Sequence, residues 1–80
     1  MKKIPRNLSA RNLIKKLEKL GYQQTRQVGS HIRITTEENG IHHVTIPEHD
    51  PIKIGTLSNI LKDIAIHLEI TKEELIDRIF

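Results

Sequence analysis

At 80 residues the chain is the size of one small domain, and a chain this short buries only about 60% of its unfolded surface, so modest stability is expected. It has no cysteine, which excludes a disulfide framework and a thiolate metal site, and Tyr22 and Phe80 are its only aromatic residues. The net charge of +3 conceals a sharper division: residues 1–35 hold nine Lys and Arg against Glu18 alone, whereas residues 36–80 hold four against nine acids. Such asymmetry points to a polyanion-binding face built by the N-terminal half.

Met1-Lys2-Lys3-Ile4-Pro5 carries the charge of a signal peptide's start, but no apolar run follows it. Nothing approaches the length of a membrane span, so a cytoplasmic protein without membrane contact is expected. Residues 1–8 read as a basic arm, ordered where Ile4 or Leu8 reaches the core. Ser9 suits a helix N-cap, since its hydroxyl can accept from an unpaired N–H of the first turn. Leu13, Ile14, Leu17 and Leu20 then fall on one helical face, and Gly21 sits where a left-handed C-cap glycine belongs. Asn12, Lys15, Lys16 and Lys19 share the opposite stripe. That stripe is either a solvated helix face or an RNA surface that tracks phosphates rather than reading bases.

Tyr22 to Val28 reads as a first strand with weak alternation, joined through Gly29-Ser30 to a second, antiparallel strand starting at His31. From Ile32 to Ile46 the pattern has period two: Ile32 and Ile34 alternate with His31, Arg33 and Thr35, and Val44 and Ile46 alternate with His43 and Thr45. Asn39-Gly40 marks the turn, and a two-residue turn is the first expectation. That turn would set Ile34 opposite Thr45 and mix apolar with polar side chains on each face. A three-residue loop, Glu38-Asn39-Gly40 with Gly40 left-handed, pairs Ile34 with Val44 and Ile32 with Ile46 instead. It places Arg33 and Thr35 opposite Thr45 and His43 on the other side. The faces select the longer loop.

Pro47 ends the third strand because it cannot donate to the ladder. A loop over Glu48–Ile54 precedes a second helix from Gly55 or Thr56, with Leu57, Ile60, Leu61, Ile64 and Leu68 at helical spacing. Thr71 and Glu74 form a capping box for a short third helix, with Ile70 and Leu75 as its hydrophobic staple. One sheet face carries the isoleucines, and the amphipathic helices are the only cover for it. The expected fold class is α+β, a two-layer sandwich in a single domain over residues 1–80, with the other sheet face open. That face carries Arg33, Thr35, His43 and Thr45, with His31 at its edge.

Gly29-Ser30-His31 opening the second strand, Val44-Thr45-Ile46-Pro47-Glu48-His49 closing the third, and Gly55-Thr56-Leu57 with Ile60-Leu61-Lys62 in the second helix resemble, in order and spacing, the HicA family of mRNA interferase toxins. Leu17-Glu18-Lys19-Leu20-Gly21-Tyr22 fits the end of that family's first helix, and the resemblance covers roughly residues 8–76. It implies a double-stranded-RNA-binding-domain-like α-β-β-β-α fold, here with a short extra C-terminal helix. It also implies a ribonuclease restrained by a HicB antitoxin, with the histidine of the Gly-Ser-His motif, His31, catalytic. The departure lies after Lys62, where Asp63-Ile64-Ala65-Ile66-His67-Leu68-Glu69 replaces a quick passage through glycine and predicts a second helix about a turn longer.

The residue chemistry is consistent with that activity. RNA cleavage needs a base for the 2′-hydroxyl proton, an acid for the leaving oxygen, and cations for the phosphate; histidine can serve as either acid or base near neutral pH. Gly29 lets a backbone approach a phosphate, Ser30 offers a hydroxyl and an N–H, and Arg33 lies on the same strand face as His31. His43, on the open face near Thr35, is a candidate for a second catalytic or RNA-contacting group. His42 and His43 point to opposite faces and cannot chelate together, so no metal site and no cofactor are expected from His31, His42, His43 and His49. His67 receives no role, Ile66 is a candidate partner contact, and Tyr22 is the only aromatic available for base stacking, which predicts loose sequence preference. The alternative reading is a non-catalytic RNA-binding module using the same basic helix and sheet face.

Overall fold

The structure is a computed structural model that describes residues 4–80; Met1 to Lys3, the start of the expected basic arm, lie outside the described residues. Helix α1 (Ala10–Leu17) continues through a 3-10 turn at Glu18–Leu20, and β1 (Gln23–Val28), β2 (His31–Thr36) and β3 (His42–Pro47) follow. Helices α2 (Ile54–Leu68) and α3 (Lys72–Ile79) complete the chain. The three strands form one antiparallel sheet in the order β1-β2-β3. This is the α+β arrangement expected from the sequence, with α3 as the extra C-terminal helix.

The helix signals act as read. Ser9 Oγ accepts from the Asn12 N–H at 3.1 Å, and Gly21 closes the first helical segment at φ 82°. Thr71 Oγ1 accepts from the Glu74 N–H at 3.0 Å, but only this half of the capping box forms, because the Glu74 carboxylate pairs with Arg78 at 2.6 Å. Helix α2 begins at Ile54, a residue earlier than expected, and runs 15 residues, the longer helix anticipated after Lys62. It ends in a Schellman motif: the Ile70 N–H bonds Ala65 O at 3.1 Å and the Glu69 N–H bonds Ile66 O at 3.2 Å. Glu69 takes the left-handed position, φ 58°, where glycine would be unstrained.

The β2–β3 register agrees with the reading of the two faces: Ile32 pairs with Ile46, Ile34 with Val44, Arg33 with Thr45 and Thr35 with His43. The ladder stops at Thr36–His42, one pair earlier than a three-residue loop would allow. The Thr36 hydroxyl accepts from the Glu38 N–H at 3.0 Å, which turns the chain out of the ladder, and both Asn39 and Gly40 are left-handed. The first strand departs further from expectation. It starts at Gln23, all six of its residues are exposed, and a β-bulge at Thr25 interrupts it.

Ile32, Ile34, Val44 and Ile46 are buried against Leu13 and Leu17 of α1, Leu57, Leu61 and Ile64 of α2, and Leu75 and Ile79 of α3. Each such side chain stabilises the fold by about 1.5–3 kcal/mol on burial, which fixes the helices to this face and leaves the other to solvent. Leu8 is also buried and Ile4 packs against the core, so the last part of the basic arm is docked.

Candidate active site

The open sheet face is a grid whose rows follow from the ladder. The first row is Val28, His31 and Pro47; the second is Arg26, Arg33 and Thr45; the third is Gln23, Thr35 and His43, and the bulged Thr25 reaches it through its side chain. Thr25 and Thr35 hydroxyls lie 2.8 Å apart, and Thr35 Oγ1 is 2.8 Å from His43 Nδ1. These three residues form a hydrogen-bonded chain across all three strands.

His31 opens β2 directly after a two-residue hairpin turn. Gly29 has φ 57° and Ser30 does not have a positive φ, the pattern of a type II′ turn, which requires glycine first. The turn is braced from below. Arg11 donates to Glu48 Oε2 at 2.8 Å, to Gln24 at 3.0 Å and to Gln27 Oε1 at 3.1 Å. Gln27 Nε2 in turn donates to Gly29 O at 3.0 Å and Glu48 Oε1 at 2.8 Å, while the Glu48 N–H bonds Ser30 O. None of the described residues lies within 4 Å of where a Gly29 side chain would start, so the outer side of the turn is open to a ligand. The His31 ring is exposed and bonds none of the described residues, leaving both nitrogens available to a substrate.

Gly29, Ser30, His31 and Arg33 are therefore brought together, and Arg26 joins them from the first strand. His43 is not part of that group. It lies one strand over and four residues along from His31, about 14 Å away, too far for the two imidazoles to share one phosphate. Lys15 and Lys19 are exposed and line a shallow groove with Leu8, Asn12 and Lys16. They lie on the stripe opposite the buried Leu13 and Leu17, so they point away from the sheet rather than toward His31. Lys16 Nζ rests 5.6 Å from the centre of the Phe80 ring.

Four features were not visible in the sequence pattern. Tyr22 is fully buried and offers no stacking platform. Its hydroxyl lies 2.7 Å from His42 Nδ1, and His42 Nε2 lies 3.4 Å from Asp63. His67, given no role above, stacks on His42 with ring centres 4.2 Å apart, and its Nε2–H is shared by the Glu38 and Gly40 carbonyls at 2.9 and 3.0 Å. Burial, and then the Asp63 carboxylate, push the Tyr22 phenol well above its ordinary pKa, so it stays protonated and donates to His42. His42 thus faces inward while His43 faces outward, as the strand alternation requires. The other missed residues are Arg11, whose bracing role depends on a contact 37 positions away in the chain, and Arg26. Among the described residues no three His, Cys, Asp or Glu side chains converge as a metal-binding group, and no helix is long and apolar enough to cross a membrane.

A family model described as the HicA toxin of bacterial toxin-antitoxin matches residues 10–66, from the start of α1 through the His31 turn and the sheet into α2. No curated protein and no solved structure matches the chain.

Proposed function

The chain belongs to the HicA toxin family of bacterial toxin–antitoxin systems, and from that footing we propose that it is a cytoplasmic ribonuclease toxin that cleaves mRNA and is restrained by a HicB-like antitoxin. His31 is the acid–base residue. As a base it takes the proton of a ribose 2′-hydroxyl, whose oxygen attacks the adjacent phosphorus; the P–O5′ bond breaks, and the departing oxygen receives a proton. The products are a 2′,3′-cyclic phosphate and a free 5′-hydroxyl. The steps use proton transfer and fixed cationic charge, so the proposed chemistry is metal-independent and needs no cofactor. Gly29 and Ser30 admit the phosphate to the turn, and Arg33 offsets the charge of the RNA backbone beside it. Lys15, Lys16 and Lys19 on α1, and His43 at the far end of the sheet, contact RNA away from the cleaved bond.

The observation that carries this reading is a free, exposed imidazole on a braced glycine turn, two residues from an arginine on the same face. A second reading, a non-catalytic RNA-binding module, draws on a different feature: among the described residues no carboxylate or second histidine orients His31. Purified protein incubated with a long single-stranded RNA, with and without EDTA, separates the two. Cleavage that survives EDTA and falls about 10²–10⁴-fold in His31→Ala, with RNA binding retained, supports the nuclease. Binding without cleavage supports the module.

A further inference from the structure

Arg26 has no place in the alternating pattern of the first strand, and the bulge at Thr25 decides where it points. Before the bulge Gln23 pairs with Thr35 and Gln24 with Ile34; after it Arg26 pairs with Arg33, Gln27 with Ile32 and Val28 with His31. In an unbroken ladder Arg26 would stand opposite Ile32, on the helix-covered face. The extra residue moves it to the open face, directly across from Arg33. Re-aiming a side chain beside a functional site is a common use of a bulge.

Two arginines directly opposite each other repel and destabilise a sheet unless something neutralises them. Arg11 and Arg78 have acidic partners, Glu48 and Glu74, but Arg26 and Arg33 have none among the described residues. Arg33 Nε is moreover buried with no hydrogen-bond acceptor among the described residues, so no protein oxygen offsets this guanidinium from within. Two guanidinium groups on neighbouring strands with no carboxylate partner suit a phosphodiester oxygen pair. The site lies one row from His31, about 7 Å along the strand, a separation of the order of that between successive phosphates in an extended nucleic-acid strand.

Resting on the ribonuclease reading, we propose that Arg26 and Arg33 clamp the phosphate adjacent to the cleaved one, so that the substrate is an RNA strand carrying at least one phosphate beyond the scissile bond. Arg26 is then a substrate-positioning residue supplied by β1, and RNA crosses the open sheet face rather than following α1 alone.

Binding is measured first, by fluorescence anisotropy with an uncleavable 2′-O-methyl RNA oligomer over a range of salt. Arg26→Ala should bind about tenfold more weakly, with a salt slope lower by roughly 0.7, the value for one phosphate contact on a single strand. Its thermal midpoint should hold or rise, since a like charge is removed; a merely structural arginine would lower it. Kinetics follow with a dinucleoside monophosphate and the same compound bearing an added terminal phosphate. Wild type should favour the phosphorylated compound, by 5′ or 3′ addition, about tenfold in kcat/KM, and Arg26→Ala should lose that preference. Unchanged binding and slope in Arg26→Ala, or no preference in wild type that cleaves both compounds, overturns the clamp. If wild type binds with the Arg26-dependent slope yet cleaves nothing, the nuclease reading fails while the phosphate site stands.

Discussion

Replacing Tyr22 with Phe isolates one atom on which the attachment of the β2–β3 connection to α2 depends. The ring is fully buried and Phe preserves its volume, so the change removes only the hydroxyl that lies 2.7 Å from His42 Nδ1. The lost hydrogen bond is worth about 0.5–1.5 kcal/mol, and a buried partner left unpaired adds about 1–3 kcal/mol. The His42 side chain keeps 18% exposure, so water can reach it and the second contribution is reduced. A total of about 1.5–2 kcal/mol is expected, a fall of about 6–16 °C in Tm for a domain of this size. The same hydroxyl gives an alkaline signature. Its folded pKa is raised by burial and by Asp63, so its contribution is fully present below the ordinary value of about 10 and is lost as pH rises from there toward the folded value. Between those two values the wild type should lose about 1.4 kcal/mol per pH unit from this group, and Tyr22→Phe should lack that decline. Urea unfolding at several pH values measures both effects, and because Tyr22 is the only tyrosine, tyrosinate absorbance reports its ionisation directly. A loss below about 0.5 kcal/mol at neutral pH, or an unchanged alkaline decline in the variant, would refute the reasoning.

Two backbone positions give predictions of opposite sign. At Gly21, φ is 82° and an added Cβ would stand 2.9 Å from both Glu38 Cγ and Thr36 Oγ1, so Gly21→Ala should cost about 2 kcal/mol; a thermal melt showing under half of that would contradict the account. At Glu69 the left-handed conformation is strained for a side chain, and its contact with Asn39 is exposed and 3.3 Å long. Glu69→Gly should therefore stabilise the protein by about 0.5–1 kcal/mol, and a lowered urea midpoint would show that the Asn39 contact outweighs the strain.

The periodicities alone determined the layers. Period-two alternation in Ile32–Ile34 and Val44–Ile46 fixed which side of the hairpin was buried, and a single-residue slip would have inverted it, so the register was legible from composition of the faces. Ser9, Gly21 and Thr71 marked helix ends because caps depend on neighbours in sequence. The glycine turn beneath His31 was legible for the same reason: its conformation is set by two adjacent residues. What the sequence could not show is whatever depends on residues far apart in the chain. The bulge at Thr25 has no local marker, yet it alone carries Arg26 to the open face. Arg11 looked like one more cation on a helix, and His67 like an unassigned residue off the apolar stripe. Their roles appeared only when packing set Arg11 against Glu48 and Gln27, and His67 against His42 and the carbonyls of Glu38 and Gly40. Hydrophobic pattern is a property of each segment and survives in one dimension; a polar contact requires two side chains to meet at about 3 Å, and only the tertiary structure decides which pairs do.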